Sequence, residues 1–163
     1  MTARFSRRSM TIIETGKRGW EPMNDIRKPR RIGRSILAVL MGIVAGVAVT
    51  LATDFVLHAI HLFPPWDQRV PDGLLALATA YRTVYSVGAS YLTARLAPYS
   101  PMKHALVGGL IGFIVSLAGA IATWNGGPQF QSHWYPVALV LLAIPCAWVG
   151  GMLHLRQTQT LTS

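Results

Sequence analysis

The chain has 163 residues, is 52% hydrophobic and carries a formal net charge of +9, with a positive mean hydropathy. Those figures together fit a soluble domain poorly, because so basic a chain is rarely so apolar. Apolar and basic residues must be segregated, and the sequence segregates them.

Ten of the fifteen Lys and Arg residues lie between Arg4 and Arg34. Residues 1–34 are therefore expected to form a basic, disordered cytoplasmic tail. Ser6-Arg7-Arg8 resembles the start of a twin-arginine export signal. The apolar run begins only about 27 residues later, however, and is too long for a cleavable signal core. A basic segment beside a membrane helix gains about 1 kcal/mol per Lys or Arg near an anionic surface. Lipid or nucleic acid would satisfy such a tail, but an orientation signal explains it more simply. Met23 offers a second start, since MNDIRKPRRIGR alone supplies enough positive charge to orient the chain.

Beyond the tail lie four apolar runs, each long enough to cross a hydrocarbon core, which takes about 20 residues of helix. The first, 35–63, is stopped by Pro64 and Pro65. The second, 71–97, opens on Pro71, Asp72 and Gly73, which suit a helix start, and closes before Pro98. The third, 101–124, runs into Asn125, Gly126, Gly127 and Pro128, a breaker cluster. The fourth, 134–155, is followed by a short cytoplasmic tail, 156–163. Richness in Ala, Leu and Gly without period-two alternation argues for helices over strands. Short connections predict antiparallel neighbours. The expected fold class is thus an all-α membrane protein, with four transmembrane helices in an antiparallel bundle over residues 35–155.

Orientation follows from the remaining basic residues. With a cytoplasmic N-terminus, the inner side also holds Arg95, Lys103 and Arg156, whereas the outer side holds only Arg69. This is the asymmetry of a bacterial inner-membrane protein with both termini inside. Trp66, Trp124, Trp134 and Tyr135 then fall at the outer interface as an aromatic belt.

Membrane helices associate through close backbone approach, so small residues mark inward faces. Gly42, Gly46, Thr50 and Asp54 recur every four residues in the first helix, and Gly108, Gly112, Ser116 and Ala120 in the third. Gly42, Gly46, Gly108 and Gly112 are the expected packing positions. Ala78, Arg82, Ser86 and Ser90 repeat the pattern in the second helix, so both intramembrane charges, Asp54 and Arg82, lie on inward stripes. Asp54 leans inward from the outer half of its helix, and Arg82 leans outward about ten residues into the next. In antiparallel neighbours the two converge as an ion pair, with Tyr81 and Tyr85 offering hydrogen bonds.

Asp54, His58 and His61 share one helix face at i, i+4 and i+7, and His133 arrives at the same outer surface. Carboxylate plus imidazole suits zinc, copper or iron. Arg82 opposes a cation there, and interfacial histidines are ordinary, so His58 and His61 are read as members of a polar cluster and no metal is expected. His104 and His154 both fall at the cytoplasmic edge, which leaves no haem-like pair. Cys146 is single and mid-helix, a buried small residue. No acidic residue follows Asp72, so a relay of intramembrane carboxylates cannot be assembled from the last two helices. No Walker loop or GxSxG elbow is present, and no histidine lies at the depth of Ser86, Ser90 or Ser116. Neither a cofactor nor an enzymatic activity is expected.

The tract TAYRTVYSVGASYLTARLAP from Thr79 to Pro98, with PMKHAL at Pro101–Leu106 and GAIATWN at Gly119–Asn125, resembles segments of small uncharacterised bacterial four-helix membrane proteins. The resemblance spans about residues 35–155, implies the four-helix architecture and carries no activity. Two functions remain. The first is a non-catalytic accessory subunit or homo-oligomeric scaffold, with the bilayer and further copies or a larger membrane complex as partners and no nucleic acid. The second is a small transporter or channel subunit with a polar cavity around Asp54 and Arg82, open to the outside.

Overall fold

The computed structural model describes residues 32–65, 68–126 and 132–160. Most of the basic tail, Trp66 and residues 127–131 between the last two helices therefore lie outside the described residues. The chain divides into two units, Met1–Arg30 and Arg31–Ser163, and every described residue belongs to the second. It holds four helices: α1 (Ile32–Ala59), α2 (Asp72–Leu96), α3 (Pro101–Trp124) and α4 (Trp134–Thr160). The protein is all-α among the described residues.

α1 opens at Ile32, ahead of the expected 35 and inside the expected tail, and two further boundaries differ from expectation for local reasons. α1 closes at Ala59 instead of Phe63. His61 turns into the left-handed region at φ 56°, its N–H bonds the His58 carbonyl and the Leu62 N–H reaches back to the Leu57 carbonyl. This pair of bonds is a Schellman closure, normally built on glycine. α4 runs on to Thr160, past the expected 155, with the Thr158 and Thr160 hydroxyls donating to the carbonyls of His154 and Arg156.

α1, α3 and α4 are each long and apolar enough to cross a membrane. α2 is long enough but falls below that hydropathy. Its polarity is one-sided. Leu77, Ala80, Val84 and Gly88 form an exposed apolar stripe, while Tyr81, Arg82 and Thr93 turn inward. Large apolar side chains such as Val44, Phe55, Ile114, Ile121 and Leu141 point outward around the molecule, on a scale that water would not tolerate and lipid requires.

The interior is correspondingly built from small residues: Ala94, Ala105 and Ala147 are fully buried. α2, α3 and α4 pack against one another, whereas α1 packs on α2 and more sparingly on α3, and does not meet α4. The approach of α4 to α2 is set at Gly150, where a Cβ would fall 2.5 Å from the Val87 carbonyl oxygen and 2.8 Å from the Tyr91 nitrogen. The approach of α1 to α2 is set at Gly42, where it would fall 2.8 Å from the Ala89 carbonyl oxygen. No larger residue fits at either point without moving backbone.

Candidate functional site

Asp54 sits five residues before the end of α1 and is buried. Adjacent residues on a helix point about 100° apart, yet both Tyr81 and Arg82 reach this carboxylate from α2, one to each oxygen. The Tyr81 hydroxyl donates to Oδ1, and Arg82 Nη2 donates to Oδ2 at 2.6 Å. From α4, the Tyr135 ring lies under the guanidinium, 5.8 Å from Cζ, a cation–π distance. One turn along α2, Tyr85 meets the Thr53 oxygen at 3.0 Å. The Thr53 hydroxyl spends its single hydrogen on the Val49 carbonyl, so Tyr85 is the donor. His58 Nδ1 lies 2.7 Å from the Asp54 main-chain carbonyl. A carbonyl only accepts, so Nδ1 carries the proton. His58, Tyr81, Tyr85, Asp54 and Arg82 thus come together, whereas the His61 side chain is exposed at the helix terminus.

On the Arg69 side the pair is capped. Phe63, Leu75, Ala78 and Tyr135 form a buried cluster, with Leu57, Val70 and Leu74 packed around it, and His58 rests edge-on against Phe63 at 5.4 Å. Asx and hydroxyl contacts close the same end: Asp72 Oδ1 accepts from Ser132 Oγ and, at 3.3 Å, from Trp134 Nε1, and Arg69 donates to Ser132 at 3.1 Å. The expected opening of the site toward this side is therefore replaced by an apolar cap.

The space lies in the other direction. A cavity of about 350 Å³ extends from Asp54 and Arg82 along all four helices toward Gly42, Thr93 and Gly109. Thr50, Thr83, Ser86, Ser90, Thr93 and Ser116 line it. Thr83 and Thr93 bond back to their own helix. Val47, Leu51 and Gly112 both line the cavity and are exposed, which places its open flank between α1 and α3. The Arg82 side chain is 30% exposed against 11% for Asp54, and Arg82 Nε is buried without a hydrogen-bond partner. The site can bind through charge and hydroxyls. No histidine lines it, and Asp54 is its one carboxylate.

The glycines divide. Gly42 makes the closest approach, Gly46 faces the Ala89 methyl with 3.0 Å for a Cβ, Gly108 is 3.9 Å from Val39, and Gly112 has open space. The other close approaches fall at Gly109, Gly150 and Gly151, outside the every-fourth-residue stripes. Tyr135, assigned to the belt by its neighbour Trp134, instead turns inward beneath Arg82. Its position one helical step from an exposed Trp was the available signal. Phe63 was read as part of the helix and is part of the cap. Cys146 is buried and lines the cavity. His133 packs on Trp124 at 4.8 Å, His104 on Tyr99 at 5.1 Å and His154 on Tyr91 at 5.7 Å. Among the described residues no three His, Cys, Asp or Glu side chains are grouped as metal ligands.

No family model, curated protein or solved structure matches the chain. Of the resemblance expected from the sequence, the structure bears out the four helices, three of them long and apolar enough to cross a membrane.

Proposed function

We propose that this is a four-span integral protein of the bacterial inner membrane, with both termini cytoplasmic. It holds a small polar molecule beside Asp54 and Arg82, as a small transporter or channel subunit and not as an enzyme. The observation that carries the reading is the placement of the pair on the wall of a hydroxyl-lined cavity. A scaffold needs its buried charges only neutralised. Thr50, Ser86, Ser90 and Ser116 add hydroxyls to the cavity wall, polar surface that is costly to bury dry.

The fourth span is α2. Its outer stripe is apolar while Tyr81, Arg82 and Thr93 turn to other helices, so lipid meets Leu77 and Val84 instead of Arg82. An antiparallel order is supported by contacts that pair Ser35 with Tyr99, Thr53 with Tyr85 and Asp54 with Arg82 along α1 and α2. Arg34, Arg95, Lys103 and Arg156 then share one end and Arg69 the other, the charge bias of a cytoplasmic pair of termini. Reporter fusions after Pro98 and Arg156 should behave as cytoplasmic and one within 126–132 as external; an external C-terminus sinks this topology.

A second reading, an accessory subunit, is favoured by the open flank between α1 and α3, where a helix from another copy or a larger complex would fit. Ser86→Cys in a Cys146→Ala background decides between them. In membranes, a small water-soluble thiol reagent should modify the introduced thiol if the cavity is hydrated and reachable. Protection that disappears only on solubilisation would favour a helix-filled flank.

A further inference from the structure

Resting on that reading of the cavity, we propose that its ligand is a small zwitterion, one carboxylate and one ammonium on a modest apolar frame, bound by exchanging partners with the Asp54–Arg82 pair. Charge balance comes first. Asp54 and Arg82 carry the only formal charges among the lining residues, and they cancel. A monovalent ion entering this membrane-level site would leave one charge uncompensated where desolvation is expensive. An uncharged polar molecule preserves neutrality but offers neither side chain a replacement for a 2.6 Å ion pair. A zwitterion preserves neutrality and repartners both.

The guanidinium is set up for this exchange. Arg82 uses Nη2 on Asp54, while its Nε–H is buried with no acceptor. A carboxylate accepts from two N–H groups of one guanidinium edge at once, the bidentate geometry that arginine favours. The ligand carboxylate would therefore gain a donor that the resting pair leaves unused. Asp54, released from Nη2, keeps the Tyr81 hydroxyl and takes the ligand ammonium as its new countercharge.

The surroundings agree. Thr50 lies one turn from Asp54 and Ser86 one turn from Arg82, each on the same helix face as its charged neighbour, and both line the cavity. They supply hydroxyls for the remaining ammonium and carboxylate hydrogen bonds. Val47, Leu51, Leu139 and Leu142 supply apolar wall for the frame. The cavity, about 350 Å³, sits at the small end of ligand pockets, roughly 300 to 1,000 Å³. Phe63, Leu75 and Tyr135 close the far side of the pair, so the ligand meets the charges only from the cavity.

The test uses four near-isosteric probes that differ in charge: leucine (zwitterion), 2-hydroxy-4-methylpentanoate (anion), leucinamide (cation) and 2-hydroxy-4-methylpentanamide (neutral). Binding to the full chain in lipid nanodiscs is measured by calorimetry at neutral pH. Leucine should bind at least about tenfold more tightly than each of the others. That binding should vanish in the Asp54→Leu/Arg82→Met double variant and in Ser86→Leu, which fills the cavity and leaves the pair in place. Equal binding of the anion, the cation or the neutral probe overturns the inference, as does leucine binding that survives Ser86→Leu. The Ser86→Cys labelling separates this failure from a broader one. A reactive thiol without leucine preference overturns the zwitterion alone, whereas an inert thiol with no probe bound overturns the cavity as a ligand site as well.

Discussion

The Arg82→Met substitution would strand a carboxylate that is 8% exposed and retains one side-chain hydrogen bond, from Tyr81. Asp54 has a short side chain on a helix capped by Phe63 and Leu75, so it cannot reach water toward the Arg69 end. Removing one member of a buried pair costs about 3–5 kcal/mol, and the small share of Asp54 that faces the cavity places the loss toward the lower end. Asp54→Leu strands a different partner. Arg82 is longer, its side chain is already 30% exposed to the cavity, and the Tyr135 ring continues to support it. The cost should fall to about 2 kcal/mol, that of unsatisfied donors with partial access to water. With both replaced, the charge problem disappears and only the Tyr81 hydroxyl loses its acceptor, worth about 1 kcal/mol. The coupling energy is therefore about 4–6 kcal/mol, well above what non-contacting sites show. Equilibrium unfolding in mixed micelles, followed by tryptophan fluorescence, measures all four corners of the cycle. Additive losses, or a larger loss for Asp54→Leu than for Arg82→Met, would refute the reasoning.

The same assay checks two further expectations. Gly150→Ala drives a methyl into the backbone of Val87 and Tyr91 and should destabilise by about 1–3 kcal/mol, whereas Gly112→Ala meets open space and should be neutral or stabilising by up to about 1 kcal/mol. His61→Gly relieves a left-handed residue at φ 56° and should stabilise by about 1 kcal/mol; an unchanged unfolding midpoint would mean that the Schellman turn is not strained.

The sequence carried the helices well because hydropathy and Pro/Gly punctuation act locally. Pro98, Pro101 and the 125–128 cluster each fall at or within two residues of a helix end, whereas Pro64 lies past the turn that closes α1 at Ala59. Asp54 and Arg82 could be paired on paper because both are single charges on stripes of small residues, and the lean of helical side chains gives their direction. The cap and the cavity could not. Whether Phe63 extends α1 or folds back under Leu75 depends on one residue, His61, entering a region that histidine seldom visits. Whether Tyr135 faces lipid or Arg82 depends on the rotation of α4, which Gly150 fixes against Val87, a contact more than sixty residues apart in the chain.

The cavity itself follows from how the glycines are spent. Gly42 draws α1 onto α2, Gly150 draws α4 onto the same helix, and Gly109 seats α3 against Ala143 and Ala147 of α4. These approaches bring three helices around α2, and none joins α1 to α4. Gly112 and Ser116, on the face of α3 that would complete the ring, line the resulting gap. The most polar helix is thus also the one that two glycine-set approaches share, those at Gly42 and Gly150, so Arg82 and Thr93 turn toward other helices. A small side chain at 112 cannot be explained by contact, since nothing approaches it; space at that position is what it provides. Packing and site are therefore separable in this bundle: Gly42 and Gly150 hold helices together, whereas Gly112 touches no neighbour and lines the cavity beside Asp54 and Arg82.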